Sequence, residues 1–526
     1  MSLDQLHQPP LMPHLLVEGL NRYNDEPCLY LGDKVASYKD VREQTSQLVQ
    51  ALQSKGLGKG SRVAIISANR PEVLSNIAAM QLTGCIGTPL HPLGSLDDHA
   101  YVLEAAEIET LVFDASVFSE IAAALKARVP GLKNLLGFGP NEVGDDYLAI
   151  AESFSPKPLV APEVSADDIA SVNFTGGTTG KPKGVMSTHR VSAYMTQIQM
   201  AEWEFPDELR MLMATPLSHA AAAFFIPVLQ KGGAFYVMQG FSPDEFFDTV
   251  RDHKITCTML VPIMIYFLLD SPRATDGSMD SMETIFYGAS AMSPARLQEG
   301  LEKWGQIFYQ FFGQSECPMV IANMRKGDHD LSKPERLSSC GRPTPWVHLA
   351  LMGDDGKPAA EGEPGEICIR GPLIMKGYKD MPEQTAEAFE GGWLHTGDVG
   401  RLDEDGFLYI VDRTKDMIVT GGFNVFPREV EDVLATHEAV GQVVVVGVPD
   451  EQWGESVKAV VVLKPGVEES DVLEAQLQAL VKDKKGSVQA PKSVDFVAGI
   501  PLTPVGKPDK KAVKAQYWEG AARSVG

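Results

Sequence analysis

A stretch rich in glycine, threonine and lysine, TGGTTGKPKG at residues 175–184, has the composition of a phosphate-binding loop. Successive backbone N–H groups of such a loop can point at phosphate oxygens, while threonine hydroxyls add donors and a lysine adds charge. The P-loop pattern does not fit, because its first glycine would fall on Thr175 and its closing serine or threonine on Pro182. A mobile surface loop is the alternative. The candidate phosphate ligands are Thr175, Gly176, Gly177, Thr178, Thr179, Gly180 and Lys183.

Two later stretches offer carboxylates beside a glycine. QFFGQSE at residues 310–316 places Ser315 and Glu316 after a glycine, and this carboxylate could hold Mg²⁺ because that ion prefers one or two carboxylates plus substrate phosphates. The alternative is a capped helix start. WLHTGD at residues 393–398 presents Asp398, which is suited to accept hydrogen bonds from a ribose diol, although it could also be an ordinary turn aspartate.

Two stretches near the C-terminus carry positive charge. The segment at residues 412–431, DRTKDMIVTGGFNVFPREVE, holds Arg413 and Lys415 ahead of a Gly-Gly turn and a helix start. PLTPVGKPDKK, at residues 501–511, presents Lys507 on a loop stiffened by proline and glycine. A single lysine in such a loop is otherwise a solvated charge.

Taken together and in this order, these stretches closely resemble the signature of the adenylate-forming superfamily, which includes acyl-CoA synthetases, aryl-CoA ligases, adenylation domains of peptide synthetases and firefly luciferase. The resemblance covers essentially the whole chain and is greatest to fatty-acid–CoA ligases of the actinobacterial type. It implies that a carboxylate attacks the α-phosphate of ATP and expels pyrophosphate, after which the thiol of coenzyme A displaces AMP. The matching segments are Thr175–Gly184, Phe312–Glu316, Thr396–Asp398, Arg413–Asp416 and Pro501–Lys507.

The resemblance also implies a role for each matching residue in the first half-reaction. The loop from Thr175 to Lys183 would close over the β- and γ-phosphates, and Glu316 would coordinate Mg²⁺. Lys507 would bridge the substrate carboxylate and the α-phosphate as the catalytic lysine. Ser315 stands where the family usually has threonine, and would contact the α-phosphate. The other nucleotide contacts would be Gly288, Ala289, Ser290, Phe312 and Gly313 near the adenine, with Phe312 replacing the usual tyrosine, and Asp398 and Arg413 at the ribose.

For the second half-reaction, the resemblance implies rotation of a C-terminal domain about Lys415 at a hinge. Rotation would bring Gly421 and Gly422 to the tunnel for the pantetheine arm of coenzyme A. Trp453 matches a position along that tunnel, although a core tryptophan is the alternative.

The acid itself would lie near TPLSHAAAAFF at residues 215–225. His219 matches an aromatic-or-histidine position near the substrate carboxylate, with a structural histidine as the alternative. The four alanines that follow would line an acyl pocket with room for an extended or bulky group. We expect a medium- or long-chain fatty acid or another bulky hydrophobic acid, and aryl, arylpropenoic and steroid-derived acids stay open.

The elements that must position these residues alternate between short β-branched runs and helical stretches. SRVAIIS at residues 61–67, followed by the helical segment 71–84, is typical. The alternation predicts an α/β fold with largely parallel sheets. Near residue 365 the pattern changes, and GEICIRG and GFLYIVDR predict antiparallel strands.

A new unit follows DRTKD, with a predicted helix at about residues 427–436 and strands at 441–448 and 456–463. We therefore predict an N-terminal AMP-binding domain at 1–412, a hinge at 413–416 and a C-terminal domain at 417–526. The fold class that the resemblance implies is α/β: a large N-terminal body of parallel-sheet α/β subdomains with a small barrel-like β subdomain, then a small mobile α+β domain.

The composition limits the classes of binding partner and the cellular compartment that we expect. The net charge of −24 in 526 residues argues against general affinity for nucleic acid or an anionic membrane. The six cysteines are scattered without metal-type spacing, which is typical of the reduced thiols of a cytoplasmic protein. The N-terminus lacks the pattern of a signal peptide, and the most apolar stretch, 220–229, is too short to span a bilayer. We expect a cytoplasmic enzyme without a stable membrane anchor. The oligomeric state stays open, with a homodimer as one alternative.

Three functions compete. A free-standing acyl-CoA ligase is favoured because 13 residues separate Asp398 from Asp412, leaving no insertion ahead of the hinge, and no carrier domain follows Lys507. An adenylating enzyme that loads a carrier protein is the second. A non-catalytic nucleotide-binding scaffold is the third, and the intact set of Lys507, Glu316, Asp398 and Arg413 argues against it.

Overall fold

The structure is a computed structural model of the chain. It describes residues 9–175, 182–218, 220–353, 355–413, 416–420, 423–450, 453–503 and 507–518. For residues 412, 413, 419, 423, 424 and 454 only the backbone is described.

Helices and strands alternate along most of the chain. The α-helices are α1 (Met12–Arg22), α2 (Tyr38–Ser54), α3 (Pro71–Thr83), α4 (Leu96–Ala105), α5 (Ala115–Arg128), α6 (Tyr147–Glu152), α7 (His189–Glu202), α8 (Phe225–Lys231), α9 (Pro243–His253), α10 (Pro262–Asp270), α11 (Pro294–Trp304), α12 (Pro382–Ala388), α13 (Pro427–Leu434), α14 (Asp471–Lys485) and α15 (Lys510–Trp518). Short 3-10 helices span Ala220–Phe224, Pro272–Thr275, Lys326–Asp328, Pro334–Ser338 and Glu390–Gly392.

The strands are β1 (Pro27–Leu31), β2 (Lys34–Ser37), β3 (Arg62–Ile66), β4 (Ile86–Pro89), β5 (Thr110–Phe113), β6 (Asn134–Gly137), β7 (Asp145–Asp146), β8 (Ile169–Phe174), β9 (Gly184–Thr188), β10 (Arg210–Met213), β11 (Ala234–Val237), β12 (Cys257–Leu260), β13 (Thr284–Gly288), β14 (Phe308–Gln314), β15 (Cys317–Met324), β16 (Arg342–Pro343), β17 (His348–Met352), β18 (Gly365–Arg370), β19 (Gly377–Tyr378), β20 (Leu394–Leu402), β21 (Leu408–Arg413), β22 (Ile418–Thr420), β23 (Phe423–Val425), β24 (Val440–Asp450), β25 (Gly454–Leu463) and β26 (Ser493–Phe496).

The chain divides into two compact units. The first comprises Met1–Ala289, Ile307–Ile321 and Gly371–Glu387, and the rest of the chain forms the second. The second unit thus includes residues 290–306 and 322–370, which precede the domain boundary expected near residue 413. That boundary stays a prediction.

Two large sheets build the first unit. One runs in the order β19-β9-β8-β4-β3-β5-β6-β7, and its central strands are parallel. The other runs β2-β1-β11-β10-β12-β13-β14-β15, with parallel pairing from β1 through β14. Every side chain of β5, β11 and β12 is buried, as expected for parallel strands covered on both faces.

The second unit contains two smaller sheets. An antiparallel sheet has the order β17-β18-β20-β21, and a second sheet has the order β23-β22-β25-β24, with β26 parallel to β25. Helix α14 begins where the Ser470 hydroxyl accepts from the backbone N–H of Leu473, and it turns Leu473, Leu477 and Val481 toward a core shared with β24 and β25. Parallel sheets in one unit and a small α+β part in the other confirm the predicted fold class.

All six cysteines are buried thiols. Burial raises the pKa of Cys85, Cys317 and Cys368 to about 12. None of the described helices combines the length and the apolar character needed to cross a membrane.

Candidate functional site

The predicted phosphate loop is carried by two neighbouring antiparallel strands. Strand β8 ends at Phe174, which pairs with Gly184 at the start of β9. Between them, the backbone N–H of Thr175 donates to the carbonyl of Lys183 at 3.1 Å, and the N–H of Lys183 lies 3.4 Å from the Thr175 hydroxyl. The base of the loop is therefore closed by these two residues. The predicted ligands Gly176, Gly177, Thr178, Thr179 and Gly180 lie outside the described residues.

Lys183 and Glu316 both contact one tyrosine, Tyr378. The ammonium of Lys183 lies 4.6 Å from the centroid of the Tyr378 ring, and the Tyr378 hydroxyl donates to Oε1 of Glu316 at 2.8 Å. Strand β19 brings the tyrosine here by pairing Tyr378 with Val185 of β9. Burial and the adjacent Glu316 charge raise the pKa of Tyr378, so the phenol stays a proton donor.

Ser315 and Glu316 form the two-residue connection between β14 and β15, which are neighbours in the sheet. The carbonyl of Glu316 accepts from the N–H of Met375 at 2.8 Å, which ties this connection to the segment before β19. A Cβ at Gly313 would lie 2.1 Å from the backbone nitrogen of Met319, so only glycine fits there. A strand follows Glu316, so the alternative of a capped helix start is wrong.

The predicted adenine-side residues lie near the carboxyl ends of parallel strands β13 and β14. Gly288 pairs with Phe311, and a Cβ at Gly288 would lie 2.4 Å from the Phe311 carbonyl oxygen. Ala289 follows in the left-handed region, with φ of 65°. Ser290 and Phe312 are half-buried. In open α/β sheets, ligands bind outside the carboxyl ends of the strands.

In the second unit, the two predicted ribose contacts face each other across a ladder. Asp398 of β20 pairs with Arg413 of β21, although only the backbone of Arg413 is described. Asp398 is 4% exposed. The Thr396 hydroxyl accepts from the N–H of Asp398 at 3.2 Å and donates to the carbonyl of Ile367 at 2.7 Å. The Thr396 hydroxyl therefore links the backbone at Asp398 to the neighbouring strand β18.

Lys507 sits at the base of a second loop. The N–H of Lys507 donates to the Thr503 hydroxyl at 3.1 Å, and the N–H of Thr503 donates to the Lys507 carbonyl at 2.7 Å. An isolated β-bridge joins Leu502 and Pro508 just outside this pair. The loop is closed by its own residues, and Lys507 is half-buried.

The remaining predicted residues fall into two groups. Trp453 is 45% exposed, and its N–H donates to Oδ1 of Asp450 at 3.0 Å, so the alternative of a core tryptophan is wrong. The other predicted positions, His219, Lys415, Gly421 and Gly422, lie outside the described residues.

Two side chains near the site were not predicted from the sequence. One is Tyr378, described above. The other is buried Asn69, which clamps the segment before residue 219: its Nδ2 donates to the Thr215 carbonyl, and its Oδ1 accepts from the Leu217 N–H, each at 2.9 Å. Both act over long separations in sequence, so a local motif offers no signal for them.

The residues at Glu316 fit a magnesium ion by their chemistry. Oε1 accepts from Tyr378, while Oε2 takes no hydrogen bond from the described residues, so one carboxylate oxygen is left to a cation. Mg²⁺ is usually held by one or two carboxylates together with substrate phosphates. The Lys183 ammonium contacts the same tyrosine, and its positive charge suits a phosphate bound to this cation.

Comparison with known proteins places these features in a family. Residues 16–379 match the AMP-binding enzyme family, and residues 429–507 match the AMP-binding enzyme C-terminal domain. The chain is 51% identical to the medium/long-chain-fatty-acid–CoA ligase FadD8 of Mycobacterium tuberculosis (strain ATCC 25618 / H37Rv), over 100% of this chain and 93% of that protein. It is 32% identical to a feruloyl-CoA synthase of Amycolatopsis sp, over 92% and 95% respectively.

A solved structure also matches this chain over nearly its whole length. The amide bond synthetase McbA from Marinactinospora thermotolerans matches with a TM-score of 0.87 at 32% sequence identity, over 95% of this chain and 99% of that chain. The similarity extends through both units, because nearly the whole length of each chain is matched.

Proposed function

The chain belongs to the AMP-binding enzyme family, and we propose that it is an ATP-dependent acid–CoA ligase that acts on a medium- or long-chain fatty acid or another bulky hydrophobic acid. A carboxylate oxygen of the acid attacks the α-phosphorus of ATP, and pyrophosphate leaves. The sulfur of coenzyme A then attacks the acyl carbon, and AMP leaves. The observation that carries this proposal is the row formed by Lys183, Tyr378 and Glu316.

In the first half-reaction this row would receive the terminal phosphates. Lys183 supplies a positive charge to the β- and γ-phosphates, and Tyr378 keeps the Glu316 carboxylate in place by its hydrogen bond. Glu316 would hold Mg²⁺, which when bound neutralises phosphate charge and orients the leaving pyrophosphate. Positioning and electrostatic stabilisation carry most of the catalysis in such displacements.

We assign the catalytic charge at the α-phosphate to Lys507. A fixed positive charge beside the developing anion supplies about 3–4 kcal/mol when water is excluded. The hydrogen bonds between Lys507 and Thr503 support this role, because they hold the lysine backbone at a defined place in its loop. Ser315, exposed in the connection between β14 and β15, would offer its hydroxyl to the same phosphate.

The other predicted contacts are assigned by resemblance. Their placement supports the nucleotide contacts: Gly288 lets the backbone approach closely, and Asp398 pairs with Arg413. For the second half-reaction, exposed Trp453 would border the pantetheine arm. Lys415, Gly421, Gly422 and His219 keep their predicted roles as hinge, tunnel and carboxylate contacts.

The acid would extend past the alanines that follow residue 219. The segment Ala220–Phe224 forms a 3-10 helix in which Ala221 and Phe224 are buried, and Phe224 packs against Trp203 and Phe286. Small side chains next to Phe224 in the sequence suit an apolar acyl group. Each buried methylene contributes about 0.8 kcal/mol, so the length of the predicted acyl pocket would set the preferred chain length.

The test is pyrophosphate release from ATP over a series of acids from acetate to stearate, with aryl and arylpropenoic acids added. Each acid is assayed with and without coenzyme A, and acyl-CoA is identified by mass spectrometry. We expect thioester from the longer fatty acids. Adenylate without thioester would favour a carrier-protein acceptor, and no pyrophosphate from any acid would favour the scaffold alternative.

We also propose a cytoplasmic location, which the six buried thiols support because reduced cysteines are typical of that compartment. The negative net charge supports the absence of nucleic-acid partners. A homodimer stays a prediction that light scattering of the purified chain would test.

A further inference from the structure

Asp398 lies in a bulge between strands β18 and β20. The ladder pairs Glu366 with Val399, and Cys368 with His395. A single residue of β18, Ile367, therefore faces the three residues Thr396–Asp398 of β20. Bulges of this kind redirect side chains and occur often beside active sites.

Extra residues in a strand leave backbone groups without hydrogen-bond partners in the ladder. In this bulge, side chains provide those partners. The N–H of Gly397, the central residue, donates to Oε1 of Glu366 at 2.9 Å. Gly397 has φ of 70°, in the left-handed region that favours glycine. The Glu366 carboxylate thus holds the residue immediately before Asp398.

The second oxygen of Glu366 is also engaged. Oε2 accepts from Nδ1 of His395 at 2.7 Å, and Nε2 of His395 lies 3.2 Å from the carbonyl of Glu390. Because both carboxylate oxygens are engaged, the side chain is held in a single orientation. A charged acceptor also makes a stronger hydrogen bond to a backbone N–H than a neutral acceptor does.

We propose that Glu366 is a positioning residue for the nucleotide: its carboxylate fixes the bulge from which Asp398 meets the ribose. This inference rests on the proposed function, since the ribose contact of Asp398 is part of it. In this role Glu366 would make no contact with the nucleotide. It acts through the backbone of Gly397.

A metal ion is the competing interpretation of this cluster. Single ligand atoms of Glu366, Cys368 and His395 lie within 4.8 Å of one another. However, Oε1 of Glu366 already accepts from Gly397. Nδ1 of His395 is likewise already bonded to Oε2 of Glu366, so hydrogen bonds within the cluster account for these side chains without an ion.

The experiment compares ATP with 2′-deoxy-ATP and 3′-deoxy-ATP in pyrophosphate release. The discrimination is the ratio of kcat/KM between ATP and each analogue. In Glu366→Ala we expect this ratio to fall about tenfold, since a misplaced hydrogen bond costs roughly 1.4 kcal/mol. Glu366→Gln keeps an acceptor oxygen for Gly397 and should recover most of the ratio.

Two controls make the result interpretable. The exposed Glu363, three residues earlier, is replaced by alanine and should leave the ratio unchanged. Asp398→Ala removes the proposed ribose contact itself. If Asp398→Ala keeps full discrimination, the ribose assignment is wrong. If Asp398→Ala loses discrimination while Glu366→Ala keeps it, the positioning role alone is wrong.

Folding and metal content are measured on every variant. If Glu366→Ala does not fold, Glu366→Asp replaces it, because the shorter side chain withdraws the carboxylate from Gly397 while keeping the charge. Retained discrimination in a folded Glu366→Asp protein would overturn the proposal. Zinc at one ion per chain that is lost with Glu366 would overturn it as well.

Discussion

Two loops in different units of this chain close with the same pair of hydrogen bonds. In the first, the Thr175 N–H donates to the Lys183 carbonyl, and the Thr175 hydroxyl accepts from the Lys183 N–H. In the second, Thr503 and Lys507 make the same two bonds. Both loops thus end on a lysine whose backbone is fixed by a threonine.

The surroundings of the two lysines differ. The first loop continues directly into adjacent strands β8 and β9 of a large sheet, and the Lys183 ammonium lies over the ring of Tyr378. The second continues into the isolated bridge between Leu502 and Pro508 and then into helix α15. We infer that Lys183 serves the phosphates whenever nucleotide is bound, whereas Lys507 serves one half-reaction.

The largest expected effect that tests this contrast is that of Lys507→Ala. Adenylate formation should fall about 10²–10³-fold, because the charge at the developing anion is lost. Thioester formation from preformed acyl-adenylate and coenzyme A should be largely retained. Rapid-quench measurement of each half-reaction checks this, with the exposed Lys511→Ala as a matched control. An equal loss in both half-reactions would mean that Lys507 does not serve the adenylation step alone.

Lys183→Ala should have the next largest effect. Loss of a charge-assisted phosphate contact of about 1.5–3 kcal/mol should lower kcat/KM for ATP roughly 10- to 100-fold. Lys183→Arg keeps the charge and should retain more activity. Pyrophosphate release at varied ATP measures both variants, and an unchanged kcat/KM in the alanine variant would contradict the phosphate role.

Tyr378→Phe removes the hydroxyl from Glu316 and leaves the ring beneath Lys183. Losing one hydrogen bond of about 0.5–1.5 kcal/mol should raise the Mg²⁺ concentration needed for half-maximal ATP binding about two- to tenfold. Tyr378→Leu also removes the ring beneath Lys183, and should weaken ATP binding by a further amount of about 0.5–1 kcal/mol. Calorimetric titration of ATP at several Mg²⁺ levels measures this. An identical Mg²⁺ dependence in wild type and Tyr378→Phe would mean that the tyrosine does not support Glu316.

The smallest effects are expected at the two threonines. Thr175→Val and Thr503→Val each remove one hydroxyl acceptor while keeping the shape of the side chain, at a cost of about 0.5–1.5 kcal/mol. Thr175→Val should weaken ATP binding, whereas Thr503→Val should slow adenylation and leave thioester formation unchanged. Measuring both half-reactions in both variants would decide between two distinct roles and one shared role.

Much of the fold could be predicted because its signals are local. The β-branched runs at residues 61–67, 441–448 and 456–463 are strands, and the helix expected at about 427–436 spans Pro427–Leu434. Strand β18 and strand β21 belong to one antiparallel sheet, as the change of pattern near residue 365 predicted. In each case, the residue pattern within a few positions was sufficient.

The supporting residues could not be predicted, because each depends on contacts between distant segments. Tyr378 lies 62 residues from Glu316, and Asn69 lies 148 residues from Leu217. Strand β19, which brings Tyr378 to Lys183, is only two residues long and carries no periodic signal. The role of Glu366 becomes visible only when the bulge opposite it is known.

The burial of all six cysteines has a practical consequence for measuring this enzyme. An accessible thiolate is the nucleophile that attacks a thiol reagent, so these buried side chains should react slowly in the folded protein. Free coenzyme A would then be the fast-reacting thiol in an assay mixture. Its disappearance could be followed continuously with a chromogenic disulfide, while the protein itself contributes a low and steady background.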